Sequence, residues 1–492
     1  ETDSLLSTTP VQPSGAEFSA TATFPMSQFD KDDIDDMGLL KLDVLGVRMQ
    51  SAIAYALDEV ERIHGAQAAV RGGLPPDARY VTTGGRLLID EIPKDDEATF
   101  EQIRSTHTLG MFQIESPGQR ELIGKMQPDR YDDLIADISL FRPGPMKGNM
   151  VGPFLDVKHG FAQPEWLHPN FRPFLAETYG VVVYHEQVLH ILHECMGIDL
   201  AEADELRRLM EKRGVSIEQR FRRETAANRD VHGRQKFTDR QIDRIWEVLQ
   251  GFGSFGFCKA HAAAFALPTW QSAWLKTHYP AEFFAGLLTH DPGMYPKRLI
   301  LADARRMGVP ILPLDVSRST DRVVVERVHD TPPGAATRSG DLGLRLSLSD
   351  VRGITRAELA RILTEQPFTS LGDFFERARP SRSLAENLAV VGALDSLEPS
   401  RLTRGELITE IRARRRRPQR KRRPDELELP LQFAAEQPPV VASAGVPEMS
   451  KRERVRAELE VLALDLSEHV IDGYRPLLDE LGVTAASELG QL

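Results

Sequence analysis

Hydrophobic and polar positions alternate along this chain with two periods, and their succession predicts its elements. The run Leu39 to Leu45 has strand period, with Leu40, Leu42 and Val44 on one face and Lys41 and Asp43 on the other. From Arg48 to Ile63 the spacing turns helical, with Ala52, Ala56, Leu57, Val60 and Ile63 forming an apolar stripe. Helical segments dominate from about Asp95 to Arg306, broken by corners such as Arg142-Pro143-Gly144-Pro145. One helix start is explicit: Asp199, with Glu202 three residues on, predicts a capping box ahead of Leu206, Leu209 and Met210. Short alternating runs occupy Val309 to Val328, and small helices are predicted around Gly353 and Gly392. Residues 401 to 450, rich in Arg, Pro and Gln, read as a disordered linker before helical pattern returns at Arg452 to Leu464. The first 25 residues, rich in Ser, Thr and Pro, read as an irregular lead-in, and no internal repeat is visible.

The length of 492 residues implies several domains, and a composition 41% hydrophobic and 27% charged is that of a globular, multidomain chain. Net charge is −12, which taken alone argues against nucleic acid. The average conceals an asymmetry. Arg412 to Arg423 carries nine basic residues and no acid, which leaves the rest of the chain more acidic still. Local charge is therefore the quantity to follow. The only two cysteines, Cys195 and Cys258, form no CxxC pair, which fits a reducing, cytoplasmic compartment rather than a disulfide scaffold. No apolar run approaches the ~18 residues of a membrane span, so no membrane partner is expected. The chain starts at Glu1 and stops inside a helical pattern at Leu492, and we expect it to be a fragment.

Several residue groups offer chemistry. His185-Glu186 followed by His190 is superficially like a zinc helix, but histidines five apart stand about 140° from one another, so they do not share a face. His193, Glu194 and Cys195 add possible ligands, yet packed polar residues are the better reading. Asp30, Asp32, Asp33, Asp35 and Asp36 read as a solvated acidic loop. Asp43 differs, because a carboxylate in an apolar strand needs compensation. A salt bridge to Lys41 and a magnesium ligand fit it equally well. Arg207 and Arg208, with Lys212 and Arg213 after them, give a basic stripe on the capped helix: an exposed face by default, a phosphate clamp as the alternative. Gly251 to Phe257 alternates glycine with aromatics ahead of Lys259 and His261. It is either a turn with core aromatics or a place where backbone approaches a base or phosphate closely.

In combination these residues resemble a family. LLKLDVLGVR (39–48) is similar to the third-aspartate motif of the bacterial C-family DNA polymerases, the DNA polymerase III alpha subunit family. GMFQIESPGQ (110–119), LFRPGPMKGNMV (140–151), YGVVVYHEQVL (179–189), DELRRLMEKR (204–213), GFGSFGFCKAHAAAFAL (251–267) and WLKTHYPAEFFAGLLT (274–289) follow in the family's order. The likeness is dense from about residue 25 to 320 and continues through Leu394. Where replicative members have Asn-Lys-Ser-His, this chain has Cys258-Lys259-Ala260-His261, and with HDPGMYPKRLILADARR (290–306) it looks more like the error-prone, damage-tolerant paralogue.

The resemblance implies a mostly α, α+β architecture. Residues 1–48 would end a nucleotidyltransferase-type palm, 49–320 form helical fingers, and 321–400 a clamp-binding region with a helix-hairpin-helix. Residues 401–450 would be a basic linker, and 451–492 the start of a segment preceding an OB domain. It implies DNA synthesis from deoxynucleoside triphosphates on a primer–template, with two magnesium ions, one held by Asp43, and with Lys41 near the primer. Arg142, Arg207, Arg208, Lys212, Lys259 and His261 would line the triphosphate, and Arg352 and Gly353 would meet the DNA backbone through main-chain N–H groups. A sliding clamp and other replisome or translesion subunits are implied partners, with Glu428 to Phe433 as a clamp hexapeptide whose first residue departs from the expected Gln. The paired-aspartate motif, thumb and PHP domain would lie upstream, so the fragment alone is expected to be inactive. The alternative is a non-catalytic DNA- or clamp-binding module derived from such a polymerase.

Overall fold

The structure is a computed structural model that describes residues 9–13, 25–39, 46–75, 79–82, 84–141, 150–252, 257–293, 295–328, 341–397, 402–413 and 445–486. Lys41, Asp43, Arg142, the glycines at 253 and 256, most of the basic run and Glu428 to Phe433 lie outside the described residues. The chain divides into two units, residues 1–47 and 48–492. In the first, β1 (Val11–Pro13) pairs antiparallel with β2 (Pro25–Ser27) in the register Gln12↔Met26. The acidic stretch is not a loop there. Lys31–Asp36 forms α1, because the Asp30 carboxylate accepts the Asp33 N–H at 3.0 Å and the Asp33 carboxylate accepts the Asp30 N–H at 3.3 Å.

The second unit is mostly helical around two apolar cores. Its first helix, α2 (Arg48–His64), buries Ala52, Ala56, Leu57 and Val60 as the stripe predicts. The helices that follow are α3 (Glu97–Arg104), α4 (Pro117–Met126), α5 (Tyr131–Leu140) and α6 (Val151–Lys158). After them come α7 (His185–Met196), α8 (Leu200–Ala227), α9 (Asp239–Phe252), α10 (Lys259–His278), α11 (Pro280–His290) and α12 (Lys297–Arg306). At the centre of the larger core, α10 is buried on every side from Pro268 to Lys276 and packs against α2, α3, α5 and α11. Helices α2 and α11 approach so closely that a Cβ on Gly286 would sit 2.2 Å from the Ala52 carbonyl oxygen. The smaller core, between residues 150 and 249, is built by α7, α8 and α9 around Phe171, Phe221, Phe237 and Trp246.

A three-stranded sheet packs onto the larger core in the order β3 (Ile311–Leu312), β5 (Leu342–Arg345), β4 (Val324–Arg327). β3 runs parallel to β5 and β4 antiparallel to it, with Leu344 opposite both Ile311 and Val325. The buried Glu59 of α2 fastens the sheet by accepting the Val325 N–H at 2.7 Å. Helices α13 (Arg356–Glu365), α14 (Leu371–Arg377) and α15 (Arg382–Val390) follow. Part of the expected linker is ordered. Arg404–Ala413 is helix α16, which buries Leu407 and Ile411 and packs on α15. Then come α17 (Lys451–Leu462), started by a Ser450/Glu453 capping box, and α18 (Arg475–Glu480). No helix among the described residues is long and apolar enough to cross a membrane.

Candidate nucleotide and nucleic-acid interface

The expected triphosphate residues sit on two elements that share α7 as a brace. On α8, the Asp199 carboxylate accepts the Glu202 N–H at 2.8 Å, which sets the helix start that the sequence predicts. The capping box is only half made, because the Glu202 carboxylate turns to Arg220 at 2.5 Å instead of returning to Asp199. Eighteen residues of straight helix would separate those two by about 27 Å. The α8 segment therefore doubles back between them, and Ala203, Leu206, Met210, Ile217 and Phe221 enter one core.

With those apolar residues inward, Arg207 and Arg208 share one carboxylate on the outer side. Asp204 Oδ1 accepts from Arg207 Nε and Nη2 at 3.1 and 3.0 Å, and Oδ2 is 2.6 Å from Arg208 Nη2. Burial pushes the Asp204 carboxyl upward, but the hydrogen bonds from the two guanidiniums outweigh it and hold the group below its ordinary value. Two cations against one anion leave positive charge to spare, and Arg208 is 71% exposed. Lys212 lies on the same helix.

The second element is the start of α10. Tyr184 bridges to Phe257, and the His185 N–H donates to the Phe257 carbonyl at 2.9 Å, which joins α7 to the segment entering α10. Glu186 is a cap rather than a metal base. Its carboxylate accepts the Lys259 N–H at 3.1 and 3.0 Å and faces Cys258 Sγ at 3.4 Å. Burial raises this carboxyl, and the bonds from the α10 N-terminus overcome that and lower it. Neighbouring polar residues of α7 are also committed: His193 Nδ1 lies 2.5 Å from the Ile198 carbonyl, and Glu194 is 2.7 Å from Lys236. Lys259 Nζ pairs with Glu177 and lies 5.4 Å from the Tyr184 ring. The exposed His261 ring makes edge contacts with Phe257 and Phe265, at 5.2 and 4.4 Å between centroids. Arg207 and Arg208 pair with Asp204, and Lys259 with Glu177, so no carboxylate bridges the two elements among the described residues. The link is α7, which packs on α8 and caps α10.

The hairpin corner is built differently. Gly353 has φ +85°, a left-handed conformation in which a side chain would be strained, and it lets Val351 stay buried while Arg352 faces solvent. Thr355 and Glu358 make a complete capping box for α13, and Glu358 Oε1 also accepts the Ser381 N–H at 2.8 Å at the start of α15. Burial pushes this carboxyl up, but the bonds from Thr355 and Ser381 prevail and bring it down to about 2. One expectation needs correction. The Arg352 N–H is not available to a phosphate, because it donates to the Val461 carbonyl of α17 at 2.9 Å, while the Arg352 carbonyl accepts from Asn387 at 2.8 Å. Asp204, Glu177, Glu358 and Asn387 are residues of the candidate site that sequence reasoning missed, and Glu186 was read only as part of a superficial zinc helix, not as a cap. Only Glu358 carried a signal, as the fourth residue of Thr355-x-x-Glu358.

Among the described residues no group of three or more His, Cys, Asp or Glu side chains is placed to hold a metal ion. The single carboxylate that the resemblance offers as a metal ligand, Asp43, is outside them.

Known proteins match two stretches of the chain. Residues 77–230 match the bacterial DNA polymerase III alpha subunit finger domain, and residues 308–404 match a helix-hairpin-helix motif. The chain thus carries, in order, a stretch similar to that finger domain and one similar to a helix-hairpin-helix motif. An error-prone DNA polymerase from Symbiobacterium thermophilum is 35% identical over 396 residues, 76% of this chain and 34% of that protein. A DNA polymerase III subunit alpha from Pasteurella multocida is 32% identical over 486 residues, 95% of this chain and 39% of the relative. An error-prone polymerase from Burkholderia pseudomallei is 34% identical, over 94% of this chain and 41% of the relative. The chain belongs to the bacterial DNA polymerase III alpha subunit family, and it spans about a third to two fifths of the length of these relatives.

Proposed function

We propose that this chain supplies the end of the palm (residues 1–48), the fingers (49–320) and the hairpin-bearing region (321–400) of a DNA-directed DNA polymerase. The reaction is attack of a primer 3′-hydroxyl on the α-phosphate of a deoxynucleoside triphosphate, with pyrophosphate leaving. The observation that carries this reading is the guanidinium pair on one carboxylate, Arg207–Asp204–Arg208, inside the segment that matches the fingers. A triphosphate brings oxygens that compete with Asp204 for planar, bidentate donors, so the pair can bind it without unfolding anything. Arg142, Lys212, Lys259 and His261 complete the triphosphate side, and Lys41 lies toward the primer. In this reading the protein contributes positioning and fixed charge. Magnesium would neutralise phosphate charge and activate the hydroxyl, with Asp43 as one ligand. The hairpin around Arg352 and Gly353 meets duplex backbone, and Glu428 to Phe433 meets a sliding clamp. The Cys258-Lys259-Ala260-His261 sequence favours the error-prone branch, since it lacks the hydroxyl that the replicative motif carries.

The test is primer extension by the full-length protein with Arg207→Ala and Arg208→Ala. Losing one charge-assisted phosphate contact costs about 1.5–3 kcal/mol. Each variant should therefore lose roughly ten- to a hundredfold in kcat/KM for the nucleotide. Normal extension by both variants would sink the assignment.

A further inference from the structure

At the far end of α10 from Lys259 lies a cleft of about 290 Å³, lined in part by His107, Arg120, Tyr295, Asp303 and Arg306. Lys276, beneath it, is seventeen residues along the helix from Lys259, or about 25 Å. This is therefore a different surface from the proposed triphosphate side.

The charges in the cleft do not balance. Among the described residues Asp303 is the only carboxylate lining it. Its Oδ1 accepts from Arg306 Nε and Nη2 at 2.9 and 2.7 Å, and its Oδ2 lies 2.7 Å from the buried Lys276 ammonium. Each oxygen thus faces a cation other than Arg120, Oδ2 in an ion pair with Lys276 that lacks good hydrogen-bond geometry. Among the described residues Arg120 makes no ion pair and no hydrogen bond, and its Nε is buried without an acceptor. The guanidinium is nonetheless held in place, 5.6 Å from the Tyr295 ring, and Tyr295 is fixed by donating its hydroxyl to the Glu115 carbonyl at 3.0 Å. Of the carboxylates in that segment, Glu115 accepts the Gly110 N–H at 3.1 Å and Glu121 pairs with Lys125 at 2.6 Å. Several arginines elsewhere around the larger core find partners, such as Arg104 with Glu97, Arg130 with Asp133 and Arg345 with Glu326, while the exposed Arg322 rests on the Tyr55 ring. The 770 Å³ cleft at α17 has carboxylates closer in number to its cations: Lys451, Arg456 and Arg475 pair there with Glu468, Glu460 and Asp472, and only Arg452, 5.8 Å from the Tyr474 ring, lacks an ion pair among the described residues.

We propose that this cleft is a second anion site that takes a phosphate group, gripped by the planar fork of Arg120 with Arg306 beside it. A phosphate supplies the acceptors that Arg120 lacks and meets the excess charge left by three cations, Lys276, Arg306 and Arg120, around one carboxylate. A carboxylic acid offers less charge and fewer oxygens. The field has a local witness: the His107 imidazole is held below its ordinary value, by desolvation first and then by Arg306. The phosphate can come from a free phosphate compound or from a nucleic-acid backbone.

The test uses the 492-residue chain with Arg207→Ala and Arg208→Ala, which removes the proposed triphosphate clamp. Calorimetry with pyrophosphate should detect binding in this background, and adding Arg120→Gln should weaken it at least tenfold with the melting temperature unchanged. No binding in the background, or equal affinity after Arg120→Gln, overturns the proposal. Should Arg120→Gln fail to fold, Arg306→Gln must weaken pyrophosphate severalfold, and unchanged affinity overturns the proposal equally. A labelled primer–template duplex separates the two sources. Lower duplex affinity in Arg120→Gln, with a salt slope reduced by about one and competition by pyrophosphate, assigns the site to DNA backbone. Unchanged duplex binding alongside lost pyrophosphate binding assigns it to free phosphate compounds.

Discussion

Two aspartates in this molecule each sit between two cations, and they do opposite work. Asp303 lies between Lys276 and Arg306, with nearest contacts of 2.7 Å to each, and Asp204 lies between Arg207 and Arg208, at 3.0 and 2.6 Å. The donor chemistry is nearly the same and the burial is not. Asp303 is 9% exposed and Lys276 not at all, whereas Asp204 is 30% exposed and Arg208 71%. Lys276 spends its remaining donors on the carbonyls of His107 and Leu109, at 2.9 and 2.6 Å, so no proton is left for a ligand. Arg208 has donors to spare in water. At Asp303 the buried lysine of the triad is wholly engaged, whereas at Asp204 the exposed arginine keeps donors free for the anion proposed above.

The sharpest way to break that contrast is to remove one partner from each. Lys276→Met leaves Asp303 with Arg306 alone and abandons two carbonyls inside the larger core. Breaking a buried pair from one side costs about 3–5 kcal/mol, and urea unfolding should show it. Adding Asp303→Leu should recover much of the loss. A single variant as stable as wild type would mean that the pair fastens nothing. Burial pushes the Lys276 ammonium down, with Asp303 opposing, from its ordinary 10.5 to about 8. Between those values the unfolded chain holds more protons than the folded one, so wild type gains stability as pH rises from about 8 to 10.5. Lys276→Met should lack that gain.

A third carboxylate sharpens the comparison. Glu358 is buried like Asp303 but is bound only by neutral donors from Thr355 and Ser381, across two helix starts. Glu358→Gln should cost about 1–2 kcal/mol, less than the ion pair, since no opposite charge is stranded. The folded carboxyl, at about 2, lies below its ordinary 4.5. Its contribution is therefore present above about pH 4.5 and lost as pH falls toward 2. Acid unfolding of wild type and variant should converge in that window. Parallel curves would show that the cap carries no charge-dependent stability.

What the sequence disclosed follows the same division. Helix α2 was legible because its stripe faces one core, and the start of α8 because Asp199 announces it. The centre of α10 was not, since Pro268 to Lys276 is buried all round and leaves no stripe, and nothing local marks Lys276 as an interior amine. The doubling back of α8 follows from the Glu202–Arg220 contact and a shared core, not from periodicity. Arg352 looked like a backbone-binding corner because its partner Val461 is over a hundred residues away. Lys41, Asp43 and Arg142 rest on family resemblance alone, being outside the described residues.

The smallest expected effect on stability is at Asp204 itself, and it is the most telling for the site. Asp204→Asn removes the shared anion but leaves a polar side chain that can still accept from Arg207. Exposed ion pairs contribute little, so unfolding should shift by no more than about 0.5 kcal/mol. Anion binding should respond differently. In the wild type a phosphate must displace guanidinium donors from Asp204 against a carboxylate held fully ionised by its partners. With asparagine there, that competition and its repulsion disappear, while the capped helix still presents both arginines. Pyrophosphate should then bind several times more tightly to the variant, and the gain should shrink as salt screens the charges. A loss of affinity would give Asp204 the other role, that of holding the two forks in the geometry a phosphate needs.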